Sequence, residues 1–154
     1  MGSAIINELF KDGDRFKITA ITRQASSYTA PAVSSITHKT VDYTSFDSLK
    51  DAFAGQDAVV NCITGGATQY DPSKLIIDAA VAACVKFFFT NEFVSNLMSE
   101  QYRRLPEAFV GGKVRIRSYL EGLGKEGKIS WTSLNGGPFF DMCEWLCNNL
   151  RYKC

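Results

Sequence analysis

Apolar runs of strand length alternate with amphipathic helical stripes along almost the whole chain, and this alternation restricts the fold more than any other property of the sequence. Ala4, Ile5, Leu9 and Phe10 recur at helical spacing, and Gly13 follows where a left-handed cap suits a helix end. Phe16–Ile21 alternates and reads as a strand, and Ile36–Asp42 reads as a second. Between them Arg23–Ser35, rich in Ser, Ala and Pro, reads as a loop. Thr44 followed by Asp47 makes a capping-box-like start to a helix through Phe53, which Gly55 closes. Asp57–Ile63 is a continuous apolar run, as a strand covered on both faces requires.

The chain then turns at Thr64-Gly65-Gly66-Ala67. Asp71 as N-cap and Pro72 at the first position open a helix through Ala83. Val85–Thr90 reads as another buried strand, Asn91–Leu105 as loop with some helix, and Ile129–Leu134 as a last strand. A helix carrying Phe109, Lys113, Ile116 and Tyr119 lies before that last strand, weakened at its start by Gly111-Gly112. The order is that of an α/β protein with a parallel sheet. A doubly wound sheet begins with its central strand, whereas this order begins with a helix. The expected fold is therefore a Rossmann-like doubly wound parallel sheet missing its first strand. The strands at Phe16–Ile21 and Asp57–Ile63 are then left with unpaired inner edges, which invite another chain. Either a homodimer fills the gap through these edges or the two strands close it by pairing directly.

A length of 154 residues suits one domain. The 17 basic and 16 acidic residues are well mixed, so no basic tract points to nucleic acid or an anionic membrane. No apolar run approaches the ~18 residues of a membrane span, and the N-terminus lacks the basic-then-apolar pattern of a signal peptide. A cytoplasmic location is the default expectation. Five cysteines form no disulfide framework. Cys62 and Cys84 sit in apolar runs and are expected in the core. Cys143, Cys147 and Cys154 cluster near the end with no histidine near them, because the single histidine, His38, is far away. No metal site is expected, and His38 is expected to be structural.

Val41-Asp42-Tyr43 followed by Gly55-Gln56-Asp57-Ala58-Val59-Val60 resembles the third and fourth strand region of isoflavone reductase-like and NmrA-like proteins. Ile77–Ala83 with Val85-Lys86-Phe87 resembles their next helix and strand, Asn91-Glu92-Phe93 their Ser-Glu-Phe turn, and Gly137-Pro138-Phe139-Phe140-Asp141 a segment of fungal members. The resemblance covers Gly2 to Asp141 and implies an atypical short-chain dehydrogenase domain over residues 1–141, followed by a divergent tail over 142–154. Members bind NADP(H) or NAD(P); some reduce small aromatic compounds, and others sense the nucleotide without catalysis. Of the family's glycine-rich phosphate loop only Gly2 is present, as its third glycine, and the family's substrate domain after Asp141 is not.

The resemblance also gives the residues their roles. Arg23 would grip the adenosine 2′-phosphate of NADP, a task suited to a guanidinium's paired hydrogen bonds, with Gln24, Ser26 and Ser27 as further donors. Thr64 and Gly65 lie after a strand, where open α/β sheets place ligands. Lys113 stands at the position of the reductases' catalytic lysine, which protonates or polarises the substrate oxygen or holds the nicotinamide ribose. Asn91 and Glu92 would line the same cleft, and Pro138 and Phe139 would lie near the nicotinamide. Asn91, Val94, Cys84 and Phe87 depart from the family's serine, two glycines and arginine. Three functions follow as expectations: an NADPH-dependent oxidoreductase of small aromatic or secondary metabolites; a non-redox derivative such as a nucleotide sensor, partner-binding module or isomerase- or cyclase-type enzyme; and an inactive truncated product.

Overall fold

A computed structural model of the chain describes residues 2–12, 15–23, 36–63, 69–93, 96–106 and 112–135. Helix α1 spans Gly2–Lys11 and presents Ile5, Ile6 and Leu9 half-buried, with none of its residues fully buried. Strand β1, Ile18–Thr22, pairs in parallel with β2, Ile36–Thr40, from Ile18 opposite Ile36 to Thr22 opposite Thr40. Thr22 Oγ1 and His38 Nε2 lie 2.8 Å apart across this pair, so His38 belongs to the strand contact, as expected.

Helix α2, Phe46–Phe53, is capped by Ser45, whose Oγ accepts from the Ser48 N–H at 3.2 Å. Thr44, the cap expected from sequence, is committed elsewhere. Its N–H and hydroxyl both donate to Asp42 Oδ1, at 2.9 and 2.7 Å, and turn the chain out of β2. Those two bonds hold the Asp42 carboxyl below its ordinary pKa. Gly55, at φ 75°, takes the left-handed conformation that closes the segment.

Strands β3, Ala58–Val60, and β4, Phe87–Thr90, are parallel, and β5, Ser130–Ser133, continues the sheet beside β4. Helix α3, Tyr70–Ala82, connects β3 to β4 and starts earlier than the Asp71-Pro72 signal suggests. Pro72 falls at the third helical position, where the missing N–H is one that no helix satisfies internally. Cys84 follows α3 at φ 59°. Its N–H donates to the Val81 carbonyl and the Val85 N–H to the Ala80 carbonyl, both at 3.0 Å, which is a Schellman closure. Cys84 is therefore exposed and not a core residue: the apolar run around it is interrupted by a helix end. Cys62 is half-buried. A short α4, Glu100–Arg103, precedes α5, Lys113–Lys125. No helix among the described residues is long and apolar enough to cross a membrane.

The sheet is divided. One part has the order β1-β2 and the other β3-β4-β5. The closure of the gap by direct pairing of β1 with β3 does not occur. A slot of about 1130 Å³ separates them, lined by β1, β3 and the Ile5 and Leu9 face of α1.

The two parts are held together through helices. Leu49, Ala52 and Phe53 of α2 join Ile76, Ile77, Ala79 and Ala80 of α3 in one buried cluster with Phe88 of β4 and Leu120 of α5. Leu49 is fully buried. Replacing Leu49 with Ala is expected to destabilise the fold by about 2–5 kcal/mol, the usual cost of such a cavity. Urea unfolding checks this, and hydrogen exchange should show the β1–β2 amides losing protection before those of β4.

Candidate functional site at the carboxyl rim of the sheets

Within each part of the sheet the strands run parallel, so their carboxyl ends lie at one edge, where ligands of open α/β sheets bind. Beyond β3, Asn61 is buried and its N–H donates to the Phe89 carbonyl at 3.0 Å. Its side-chain Oδ1 accepts from the Ile63 N–H at 3.1 Å, a local turn that directs the chain away from the sheet. Asn91, beyond β4, donates its side-chain amide to the Ile63 carbonyl, so the ends of β3 and β4 are tied together.

Glu92 follows, with a side chain only 1% exposed. Its Oε2 accepts from Arg117 Nη1 of α5 at 2.8 Å. Arg117 also donates to Ser133 Oγ of β5 and to Glu121 Oε1, each at 3.3 Å, and stacks 5.4 Å from the Trp131 ring centroid. One guanidinium thus joins the rim of β4, the rim of β5 and its own helix. Glu92 Oε1 is buried and has no hydrogen-bond partner, a costly state for a carboxylate oxygen and one that a bound donor group relieves.

Lys113 opens α5 one turn before Arg117 and is half-buried. Burial lowers its ammonium below the ordinary lysine pKa, and the Glu92 charge opposes that fall. Gly112 fixes where the helix can begin. A Cβ there would lie 2.5 Å from the backbone nitrogen and 2.7 Å from the Cα of Tyr70. The first turns of α3 and α5 therefore touch backbone to backbone, a closeness only glycine permits. Behind them Tyr119 donates to Asp78 Oδ1 and Lys74 donates to Asp78 Oδ2 at 2.5 Å, which fastens α5 to α3.

Across the slot, Arg23 leaves the end of β1 exposed to solvent. It lies near Tyr43, whose phenol burial pushes above its ordinary pKa while the Arg23 charge pulls it down. Tyr43 Oη donates to the Ile21 carbonyl at 3.1 Å, holding this corner of the rim. Gly2 begins α1 beside β3, where a Cβ would meet Cys62 Cβ at an ordinary 3.6 Å.

The structure thus gathers Glu92 and Lys113 with Arg117 on one side of the slot, ties Asn91 to β3, and leaves Arg23 on the other side. Gln24, Ser26, Ser27, Thr64, Gly65, Pro138 and Phe139 lie outside the described residues. Sequence reading did not find Arg117, Asn61 or Ser133. The available signal was the spacing of Lys113, Arg117 and Glu121, which places three charges on one helix face.

A parallel α/β sheet whose strand ends and helix starts share one rim defines a Rossmann-type nucleotide-binding domain. The chain belongs to the NAD(P)H-binding family, whose model matches residues 1–137. It is 30% identical over 142 residues to the oxidoreductase aprR of Aspergillus flavus, covering 92% of this chain and 46% of that protein. Among solved structures it is similar to the NADPH-dependent quinone oxidoreductase QOR2 of Escherichia coli, complexed with NADPH. There the TM-score is 0.71, with 23% identity over 96% of this chain and 49% of that one. The triphenylmethane reductase of Citrobacter sp., complexed with NADP(H), gives a TM-score of 0.66, with 22% identity over 97% of this chain and 51% of that one. The chain spans about half the length of these relatives.

The buried pair makes a sharp prediction. Arg117→Met leaves Glu92 buried without its partner and is expected to cost about 3–5 kcal/mol. Adding Glu92→Leu to Arg117→Met should restore most of that loss. A double-mutant cycle by urea unfolding measures both effects.

Proposed function

We propose that the rim binds NADP(H) and that the protein of which this domain is the nucleotide-binding part reduces a small aromatic substrate. The observation that carries this reading is Lys113: a half-buried lysine at the rim, lowered by burial and facing a buried carboxylate. A lysine with a lowered pKa gives up its proton more readily than an ordinary lysine, which suits it to protonate a substrate oxygen or to donate to a ribose hydroxyl. The residues present fit a nicotinamide dinucleotide. The orphaned Oε1 of Glu92 calls for a hydroxyl or amide donor, and such a cofactor presents both, while the hydride is the chemistry it supplies.

Arg23 is the residue for the 2′-phosphate. It is exposed, beyond β1, and free to offer two parallel donors. The residues resembling isoflavone reductase-like and NmrA-like proteins support the aromatic substrate class, as do the printed substrates of the quinone and triphenylmethane reductases. Asn91 serves the rim by holding β3 against β4.

Calorimetric titration tests the reading. NADPH is expected to bind, and Arg23→Ala to weaken NADPH by about tenfold or more, the worth of a charge-assisted bond, while leaving NADH unaffected. Lys113→Ala should retain NADPH binding and lower quinone reduction by ~10²–10⁴. Absence of NADPH binding at millimolar nucleotide would overturn the reductase reading in favour of a non-redox derivative.

A further inference from the structure

Two cations act on the buried Glu92 carboxylate, and among the described residues one of them is bonded to it. The ion pair is with Arg117, at 2.8 Å. Lys113, one turn earlier on the same helix, forms no ion pair with Glu92, and Glu92 Oε1 accepts no hydrogen bond from it. The Glu92 charge nevertheless acts on Lys113. A half-buried ammonium near a buried carboxylate is drawn into direct contact unless another cation already holds that carboxylate, because their attraction strengthens where water is excluded.

Arg117 is suited to hold it. Its guanidinium also donates to Ser133 Oγ of β5 and to Glu121 Oε1, each at 3.3 Å, and lies over the Trp131 ring. A guanidinium is planar, carries its donors in a fixed fork and stays charged at every working pH, so it holds several partners at once. An ammonium is a point charge on a flexible stem and gives up its proton when buried. The other charged groups at the start of α5 point to solvent. Asp71, in the first turn of α3, is exposed, and so is Arg115, which lies 4.0 Å from the Tyr70 ring centroid. Among the described residues, Glu92 is the charge that acts on Lys113.

We propose, on the reading of Lys113 as the lysine that meets cofactor or substrate, that Arg117 is the positioning residue of this site: as the fixed counter-ion of Glu92 it keeps Lys113 out of an ion pair and leaves that ammonium to a ligand. The two cations then divide the work. Arg117 anchors the carboxylate between β4, β5 and α5, and Lys113 is the member that exchanges its proton. An asymmetry in stability follows. Removing Arg117 strands a buried charge, whereas removing Lys113 takes away a half-buried cation that no ion pair with Glu92 compensates.

Urea unfolding and NMR of the lysine-labelled chain without nucleotide test this, with the Lys113 signal assigned by its loss in Lys113→Met. Lys113→Met is expected to unfold at the wild-type urea concentration or above. Glu92→Gln should raise the proton dissociation constant of Lys113 about threefold or more. Arg117→Met should lower it by about the same factor, because Lys113 then takes the vacated place beside Glu92. Arg117→Gln keeps an N–H donor and loses the charge; it carries the same expectation and serves where Arg117→Met does not fold. Arg117→Lys should restore the wild-type titration. A guanidinium that only braces the fold would leave Lys113 titrating as in the wild type when Arg117 is neutralised, and that result would overturn the proposal. Destabilisation by Lys113→Met as strong as that by Arg117→Met would also overturn it. Titration of the same samples with NADPH separates the two readings: if nucleotide does not bind while Lys113 moves as expected, the reductase reading falls and the counter-ion assignment stands.

Discussion

The packing of α2 against α3 is the interaction on which the rest of this structure depends. A divided sheet has no backbone hydrogen bonds across its gap, so alignment of the two parts falls to side chains. Leu49 and Phe53 on one helix and Ile76 and Ile77 on the other are each nearly fully buried. Burial of a side chain of this size stabilises by about 1.5–3 kcal/mol, so these four supply a large share of a small domain's stability. The β1–β2 pair is fastened to α2 by a smaller link, the Lys39 ammonium on the Ala52 carbonyl at 3.4 Å, and the Tyr43 hydroxyl, in the turn before α2, donates to the Ile21 carbonyl. The chain of dependence runs from β1 to α2, from α2 to α3, and from α3 to the three-stranded sheet.

On that scaffold the rim acquires chemical character from one buried pair. Arg117 satisfies one oxygen of Glu92 and leaves the other unsatisfied. Burying a carboxylate is costly even when it is paired, and its retention here fixes the first turn of α5 relative to the ends of β4 and β5. Gly112 sets the same turn from the other side by letting the Tyr70 backbone come close. Lys113 sits between these two constraints, and so its place is determined by groups that do not themselves resemble a catalytic motif.

Much of this was legible in the sequence. The alternation of Phe16–Ile21, Ile36–Asp42, Asp57–Ile63, Val85–Thr90 and Ile129–Leu134 with helical stripes located every strand among the described residues, though each came out shorter, because strand ends are set by pairing and not by apolar content. The cap at Thr44 was misread because Asp42 competes for that hydroxyl, a choice that pattern alone cannot decide. Cys84 was misread because a left-handed closure broke an apolar run from within. Arg117 escaped notice because a buried arginine differs from a solvated one only through what it faces, and Glu92 is 25 residues away in sequence.

A helix layer joins the two parts of the divided sheet, and the proposed NADP(H) site spans the carboxyl ends of both. Amide chemical shifts of the isotope-labelled chain, followed during titration with NADP, measure this most directly. The account predicts that Arg23 on one side of the slot and Asn91, Glu92 and Lys113 on the other shift together along one binding curve. Shifts confined to one side, or two sides following different curves, would contradict it.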